Sequence, residues 1–195
     1  MVLTAIISFV IGIIGWSFTE YAMHNWYGHL AKGKNDFSRE HLMHHARKDY
    51  FAPTGKKLQT AVPVLSLLGL VSVLLVGWVA GLAFIVGFAA TYTGYEVLHY
   101  RLHVAPPSGW YSRWARKHHF SHHFNCPKSN HGVTSPIWDI VFRTYERPRV
   151  VRVPRKMAMD WLLDDEGRLR AEFSADYDVR EAHASPRSTA RDSEL

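Results

Sequence analysis

Ten histidines in four spaced groups dominate the chemistry available to this chain. His41, His44 and His45 stand in HLMHH, and His119, His122 and His123 repeat that spacing in KHHFSHH at 117–123. His99 and His103 form an i, i+4 pair, while His24 and His29 stand five apart. Helical positions i, i+3 and i+4 share a face. Each triplet is therefore expected to present imidazoles converging on one point, as paired helical histidines do when they hold a metal. His24 and His29 fall about 140° out of register on a straight helix. They are expected where the helix ends and the backbone bends, so that both turn inward. A single histidine is more often a surface or satisfied core residue than a ligand. Crowded imidazoles, however, repel one another unless most are neutral, and metal binding demands that state. Ten exceed the coordination number of one ion, so a dinuclear metal site is expected. The one cysteine, Cys126, excludes an internal disulfide framework and four-cysteine zinc sites.

Long apolar segments must position these groups. Residues 2–18 carry no charge and match one bilayer crossing. The rival reading, a cleaved signal peptide, lacks a basic n-region and a small-x-small cleavage site. Residues 61–95 are also charge-free, too long for one crossing and suited to two, with a turn at Gly77–Gly81. One long tilted span is the alternative. Lys and Arg mark the cytoplasmic side, and they cluster at 32–57 and from Arg101 to Lys156. A hairpin puts both basic segments on one side; a single span strands the second. The expected fold is thus an all-α integral membrane protein, multi-pass with about three transmembrane helices, and a cytoplasmic helical cap carrying a histidine-rich dinuclear site. Residues 1–156 form the membrane-embedded domain. Residues 157–195 read as a polar cytoplasmic tail, partly disordered after about 180.

The pattern His24-x4-His29, His41-x2-His44-His45, His99-x3-His103 and His119-x2-His122-His123 resembles that of the fatty acid hydroxylase / sterol desaturase superfamily, integral-membrane di-iron enzymes. The resemblance covers most of 15–147. Glu96 to His103, EVLHYRLH, is similar to the family's acid-x-x-His-Tyr-x-x-His element. Asn130 to Asp139, NHGVTSPIWD, is similar to its Asn-x-Gly-(Val/Ile)-Thr-Ser-x-x-Trp-Asp segment. Either His118 or His119 could open the last triplet. The spacing and the match to 41–45 favour His119, leaving His118 beside the site or at the surface. His131 stands where the family commonly has an aromatic residue and is left out of the ligand set; His183 reads as solvated.

Supporting residues carry two readings each. Glu96 could accept a hydrogen bond from a ligand histidine and fix its tautomer, or be a span-end charge facing headgroups. Asn130 and Asp139 could do the same for the last triplet, or cap helices and turns. Trp110, Tyr111 and Trp114 with Arg113, Arg116 and Lys117 read as an amphipathic helix at the membrane interface. Beside three spans, nucleic-acid binding is not expected.

The resemblance implies two iron ions, replaceable by zinc in purified protein, and dioxygen as co-substrate. The implied reaction hydroxylates an unactivated C–H bond of a membrane lipid, whether fatty acyl, sphingoid, sterol or carotenoid-like. One oxygen atom goes to carbon and the other leaves as water. A lipid desaturase or a carotenoid ring hydroxylase could use the same site, and a non-catalytic zinc protein is a further alternative. A metal transporter would place ionisable ligands at mid-membrane depth, and 61–95 has none. The chain shows no haem or flavin fingerprint. Electrons are therefore expected from a separate ferredoxin or cytochrome b5-like donor and its reductase, docking on the basic surface around Arg113–Lys117 and Arg143–Lys156.

Overall fold

The charge-free N-terminal run folds as helix α1 (Val2–Ala22), which continues unbroken through a π-helical stretch at Met23–His29 in the computed structural model, which describes residues 1–181. Helix α2 (Asp36–Ala46) follows, its first turn held by the Asn35 side chain accepting from Ser38 N at 2.7 Å. Helices α3 (Thr54–Val76) and α4 (Trp78–Val104) form the hairpin. Val2–His29, α3 and α4 are each long and apolar enough to cross a membrane.

The hairpin turn is narrower than the five residues expected. Gly77 alone makes it, at φ +82°, and the helix resumes at Trp78. Gly81 is instead a packing residue, because a Cβ there would lie 2.5 Å from Val73 N on α3. Helix α1 packs along α4 at similarly close range. A Cβ on Gly12 would stand 2.1 Å from Phe84 O, and one on Gly87 would stand 2.2 Å from Phe9 O. Small residues let membrane helices approach backbone to backbone. The outward faces carry exposed Leu67, Leu70, Leu74, Leu75 and Val76, which suits lipid and would be costly against water.

Beyond the spans lie α5 (Trp110–Phe124), the short α6 (Ile137–Val141), and strands β1 (Val151–Pro154) and β2 (Tyr177–Arg180). The two strands pair in parallel, with Val151 opposite Tyr177, a small sheet that the all-α expectation did not include. Nor does the chain come apart at 156. Val151 and Val153 bury with Phe120, Trp161, Leu162, Phe173 and Tyr177 in one apolar cluster. The segment 157–181, read from its polarity as a tail, is therefore folded against α5. Its few apolar residues are the ones that turn inward. The fraying expected after about 180 falls almost entirely outside the described residues.

Helix α5 also departs from the interface helix its sequence suggested. Ala115, Arg116 and everything from His118 to His123 are buried. The Arg116 guanidinium turns inward and donates to Arg101 O (2.8 Å), Ala105 O (2.9 Å) and Ser112 O (3.0 Å). It thereby supplies a donor to Ala105 O at the C-cap of α4, while Arg101 O also takes the N–H of Ala105. Arg113 and Lys117 both pair with Asp176, at 2.6 and 2.7 Å. Of the aromatic residues at its start, Trp110 is largely exposed, while Trp114 stacks on His118 with centroids 5.1 Å apart.

Candidate metal centre

The ten nominated histidines separate into two groups of five. His24, His29, His41, His45 and His122 form one; His44, His99, His103, His119 and His123 form the other. Within each, one nitrogen per residue lies within 4.8 Å of every other. The triplets do not each converge on one point, as their shared helical face suggested. Helix α2 sends His41 and His45 to the first group and His44 to the second. Helix α5 mirrors it, sending His119 and His123 to the second group and His122 to the first. The i, i+4 pairs stay together while the i+3 residue of each crosses to its neighbour.

His24 and His29 meet without the expected bend. The π-helical stretch that contains them bonds residue i to i+5, which brings residues five apart onto one face. Their rings stack with centroids 5.3 Å apart.

Proton positions follow from three carbonyls, two facing the first group and one the second. A carbonyl oxygen only accepts, so a ring nitrogen facing one must carry the proton. His24 Nδ1 lies 2.5 Å from His131 O, and His122 Nδ1 lies 2.7 Å from Ser129 O. Both neutral rings therefore present a bare Nε2, and these two atoms stand 2.9 Å apart. His29 Nε2 is also 2.9 Å from His122 Nε2, and His45 Nε2 is 3.2 Å from it. Lone pairs so arranged repel one another, and a cation among them turns that repulsion into attraction. In the second group His44 Nδ1 faces Tyr50 O at 2.8 Å. Its Nε2 is buried with no hydrogen-bond partner among the described residues, as is His123 Nε2. Burial, reinforced by neighbouring imidazoles, holds His41, His45, His119, His122 and His123 well below the usual histidine pKa. Burial brings His44 down to about 4. Neutral, converging and oriented by outer hydrogen bonds, each group fits a metal ion. A cavity of about 260 Å³ reaches the second group, lined by Lys48, Phe51, Tyr100, His103, Val104 and Met159 among others. Trp161 Nε1 donates to His103 O (2.9 Å), tying the C-terminal segment to the end of α4.

The supporting residues sort differently from their sequence readings. Glu96 does not reach His99; its carboxylate takes Lys57 Nζ at 2.5 Å. Asn130, at φ +60°, clamps a turn through two 2.9 Å bonds to the backbone of Glu146. Asp139 touches none of the ten. It accepts from His131 N and Gly132 N at 2.8 Å each and from Thr144 Oγ1 at 2.8 Å. Burial pushes its carboxyl pKa up, but these bonds and the His118 and His131 imidazoles 3.5 Å away hold it below the usual range. His118 is fully buried rather than at the surface, its Nε2 3.5 Å from Asp139. His131 is buried too; its carbonyl faces His24 Nδ1, and its ring lies edge-on to the His24 ring with centroids 5.5 Å apart. His183 lies outside the described residues.

Glu20 is the participant that sequence reasoning missed. It is buried near the C-terminal end of α1, accepting from Val133 N, from Thr134 N at 2.9 Å and from Thr134 Oγ1 at 2.6 Å. The available signal was a lone acid inside an apolar helix, which is costly unless it has partners.

Three membrane-length helices, with two five-histidine groups drawn from the ends of Val2–His29 and α4 and from α2 and α5, define a membrane protein built around a histidine-rich site that fits two metals. The fatty acid hydroxylase family model matches residues 9–144, and the chain belongs to that family. It is 31% identical over 158 residues to the dihydroceramide fatty acyl 2-hydroxylase FAH1 of Arabidopsis thaliana, covering 75% of this chain and 62% of that one. To the fatty acid 2-hydroxylase of Mus musculus it is 30% identical over 144 residues, 70% of this chain and 38% of the relative. The structure of full-length scs7p, in which only the hydroxylase domain is visible, superposes with a TM-score of 0.61 at 26% identity. That match covers 75% of this chain and 58% of the other. The chain thus spans less than two thirds of the length of each of these proteins.

Proposed function

We propose that this chain hydroxylates an unactivated C–H bond of a membrane lipid's acyl chain, using dioxygen and two iron ions held by the ten histidines. The observation that carries this reading is the pair of five-imidazole groups joined by crossed contributions from α2 and α5. Bound iron would supply the activation of dioxygen. The protein's own part is to keep the imidazoles neutral and aimed. Carbonyls of Ser129, His131 and Tyr50 fix three tautomers, and burial suppresses protonation. The names of the relatives, a dihydroceramide fatty acyl 2-hydroxylase and a fatty acid 2-hydroxylase, support an acyl substrate and a hydroxylation outcome over desaturation.

The site lies at the ends of Val2–His29 and α4, so a lipid chain can approach laterally from the bilayer. On the positive-inside rule these ends face the cytoplasm, with three crossings. Electrons come from an external ferredoxin or cytochrome b5-like donor. Because Asp176 engages Arg113 and Lys117, the docking surface is drawn back to Arg143–Lys156, where Arg147, Arg149 and Arg152 are exposed.

The test is expression with iron in a host that lacks 2-hydroxylated lipids, with a donor and its reductase supplied under isotopically heavy dioxygen. A lipid gaining one heavy oxygen atom, absent from a His122→Ala strain, is the expected product. A lipid that instead loses two hydrogens would assign desaturation. No lipid change in fully iron-loaded protein would overturn the reading.

A further inference from the structure

We propose that Glu20 and Asp139 are positioning residues for one metal site only, acting through the loop 129–134 to set the orientation and tautomer of His24 and His122. The inference rests on the reading that the two histidine groups hold metal, and adds which residues keep the first group in shape.

The loop supplies the two carbonyls that the first group needs. Ser129 O receives His122 Nδ1, and His131 O receives His24 Nδ1. Neither carbonyl has a place of its own without the loop. The segment is irregular, and it contains a left-handed residue, Asn130, at φ +60°, a conformation that must be held from outside. Two buried carboxylates hold it from opposite sides. From the α1 side, Glu20 accepts the N–H groups of Val133 and Thr134 together with the Thr134 hydroxyl. From the α6 side, Asp139 accepts the N–H groups of His131 and Gly132, and Thr144 Oγ1 as well. Four consecutive backbone amides, from His131 to Thr134, thus end on two carboxylates. Each carboxyl group takes three donors, and an N–H stripped of its partner in this interior would pull the loop out of register. Displacement of the loop moves Ser129 O and His131 O and frees the two rings to rotate or change tautomer.

Among the described residues the second group has no such support. Its one carbonyl-oriented ring, His44, uses Tyr50 O from the loop between α2 and α3, which neither carboxylate touches. The two sites should therefore respond differently to the same substitution.

The experiment uses the full chain, purified in detergent and loaded with cobalt(II) or iron, and reads bound metal, cobalt absorption and metal retention against a chelator. In wild type two metals per chain are expected. Glu20→Ala and Asp139→Ala should drop to about one, with the cobalt absorption of the remaining site unchanged. Glu20→Gln keeps a carbonyl acceptor toward Val133 and Thr134 and should retain both metals. If the alanine variants do not fold, Asp139→Asn decides, since its amide puts a donor against an N–H. Loss of an outer partner typically costs about 10–100-fold in metal affinity, and that loss should fall on one metal. It should persist in a His119→Ala background and vanish in a His122→Ala background. Two metals retained as in wild type, or equal weakening of both, would overturn the inference. Wild-type protein binding fewer than two metals would instead sink the metal reading beneath it.

Discussion

The imidazoles of His45 and His123 lie face to face, centroids 3.9 Å apart and planes 6° from parallel, yet each belongs to a different group of five. This stack is the wall between the two sites. Helices α2 and α5 each place one ring in it, and their i+3 histidines, His44 and His122, pass to opposite groups. The repeated spacing in the two triplets thus builds neighbouring sites rather than one shared by His45 and His123.

The wall makes the first prediction quantitative. His45→Ala should lose one metal and His123→Ala the other, each leaving about one per chain, and the double variant should approach zero. Lipid oxidation should respond otherwise: either single change abolishes it and the double is no worse, the non-additivity of groups acting as a unit. Metal analysis beside lipid mass spectrometry reads both. A His45→Ala chain that keeps two metals contradicts the partition.

Acid should act through the same rings. His44 titrates near 4 in the folded protein because burial disfavours its charge, against about 6.5 when unfolded. Between those values the unfolded chain binds the extra proton, so stability falls as pH falls. The full benefit is present above about 6.5. Metal-stripped protein should therefore show a melting temperature that is level above neutrality and drops between pH 6.5 and 4, measured by fluorescence in detergent. A flat profile through that window would count against buried neutral imidazoles.

How much of this was legible beforehand varies with the distance over which it is decided. The ten histidines could be read because i, i+3, i+4 spacing is local, and the three spans because charge-free length is local too. The division of each triplet could not be read, since it depends on how α2 and α5 cross. The meeting of His24 with His29 hid behind a π-helical stretch that straight-helix arithmetic does not anticipate. Glu20 was overlooked because its partners, Val133 and Thr134, lie more than a hundred residues away. Trp161 and Tyr177 sit among charges in the sequence, and only the fold shows them buried against Phe120.

Sidedness can be tested without activity. In a Cys126→Ser background, a cysteine at the exposed position of Trp78 should label with an impermeant reagent added outside intact cells. One at the exposed Lys34 should label only after permeabilisation. Ser38 is unsuitable as a probe because it is buried and donates to Gly28 O. The reverse labelling pattern would place the histidine groups on the other face.

Arg116 offers a test of the packing beneath α4. Arg116→Met keeps an apolar stem under Trp161, whose ring lies 5.6 Å from the guanidinium carbon, but it strips Ala105 O of its side-chain donors and leaves Arg101 O only the N–H of Ala105. A carbonyl left without its donor costs about 1–3 kcal/mol, so a drop in melting temperature is expected. Metal content should hold at low temperature. An unchanged melt would mean that water reaches those carbonyls.

The crossed sharing of histidines also has a bearing on how the protein is made. Synthesis proceeds from the N-terminus, so His24, His29, His41 and His45 have all left the ribosome before the α3–α4 hairpin exists. Four imidazoles of the first site are then present, while the second has only His44. The later stretch from His99 to His123 brings four for the second site and, with His122, the fifth for the first. Neither half of the chain owns a finished site, and the residues that complete each one arrive together on α5. Maturation of the two sites is thereby bound to a single late event, the seating of that helix.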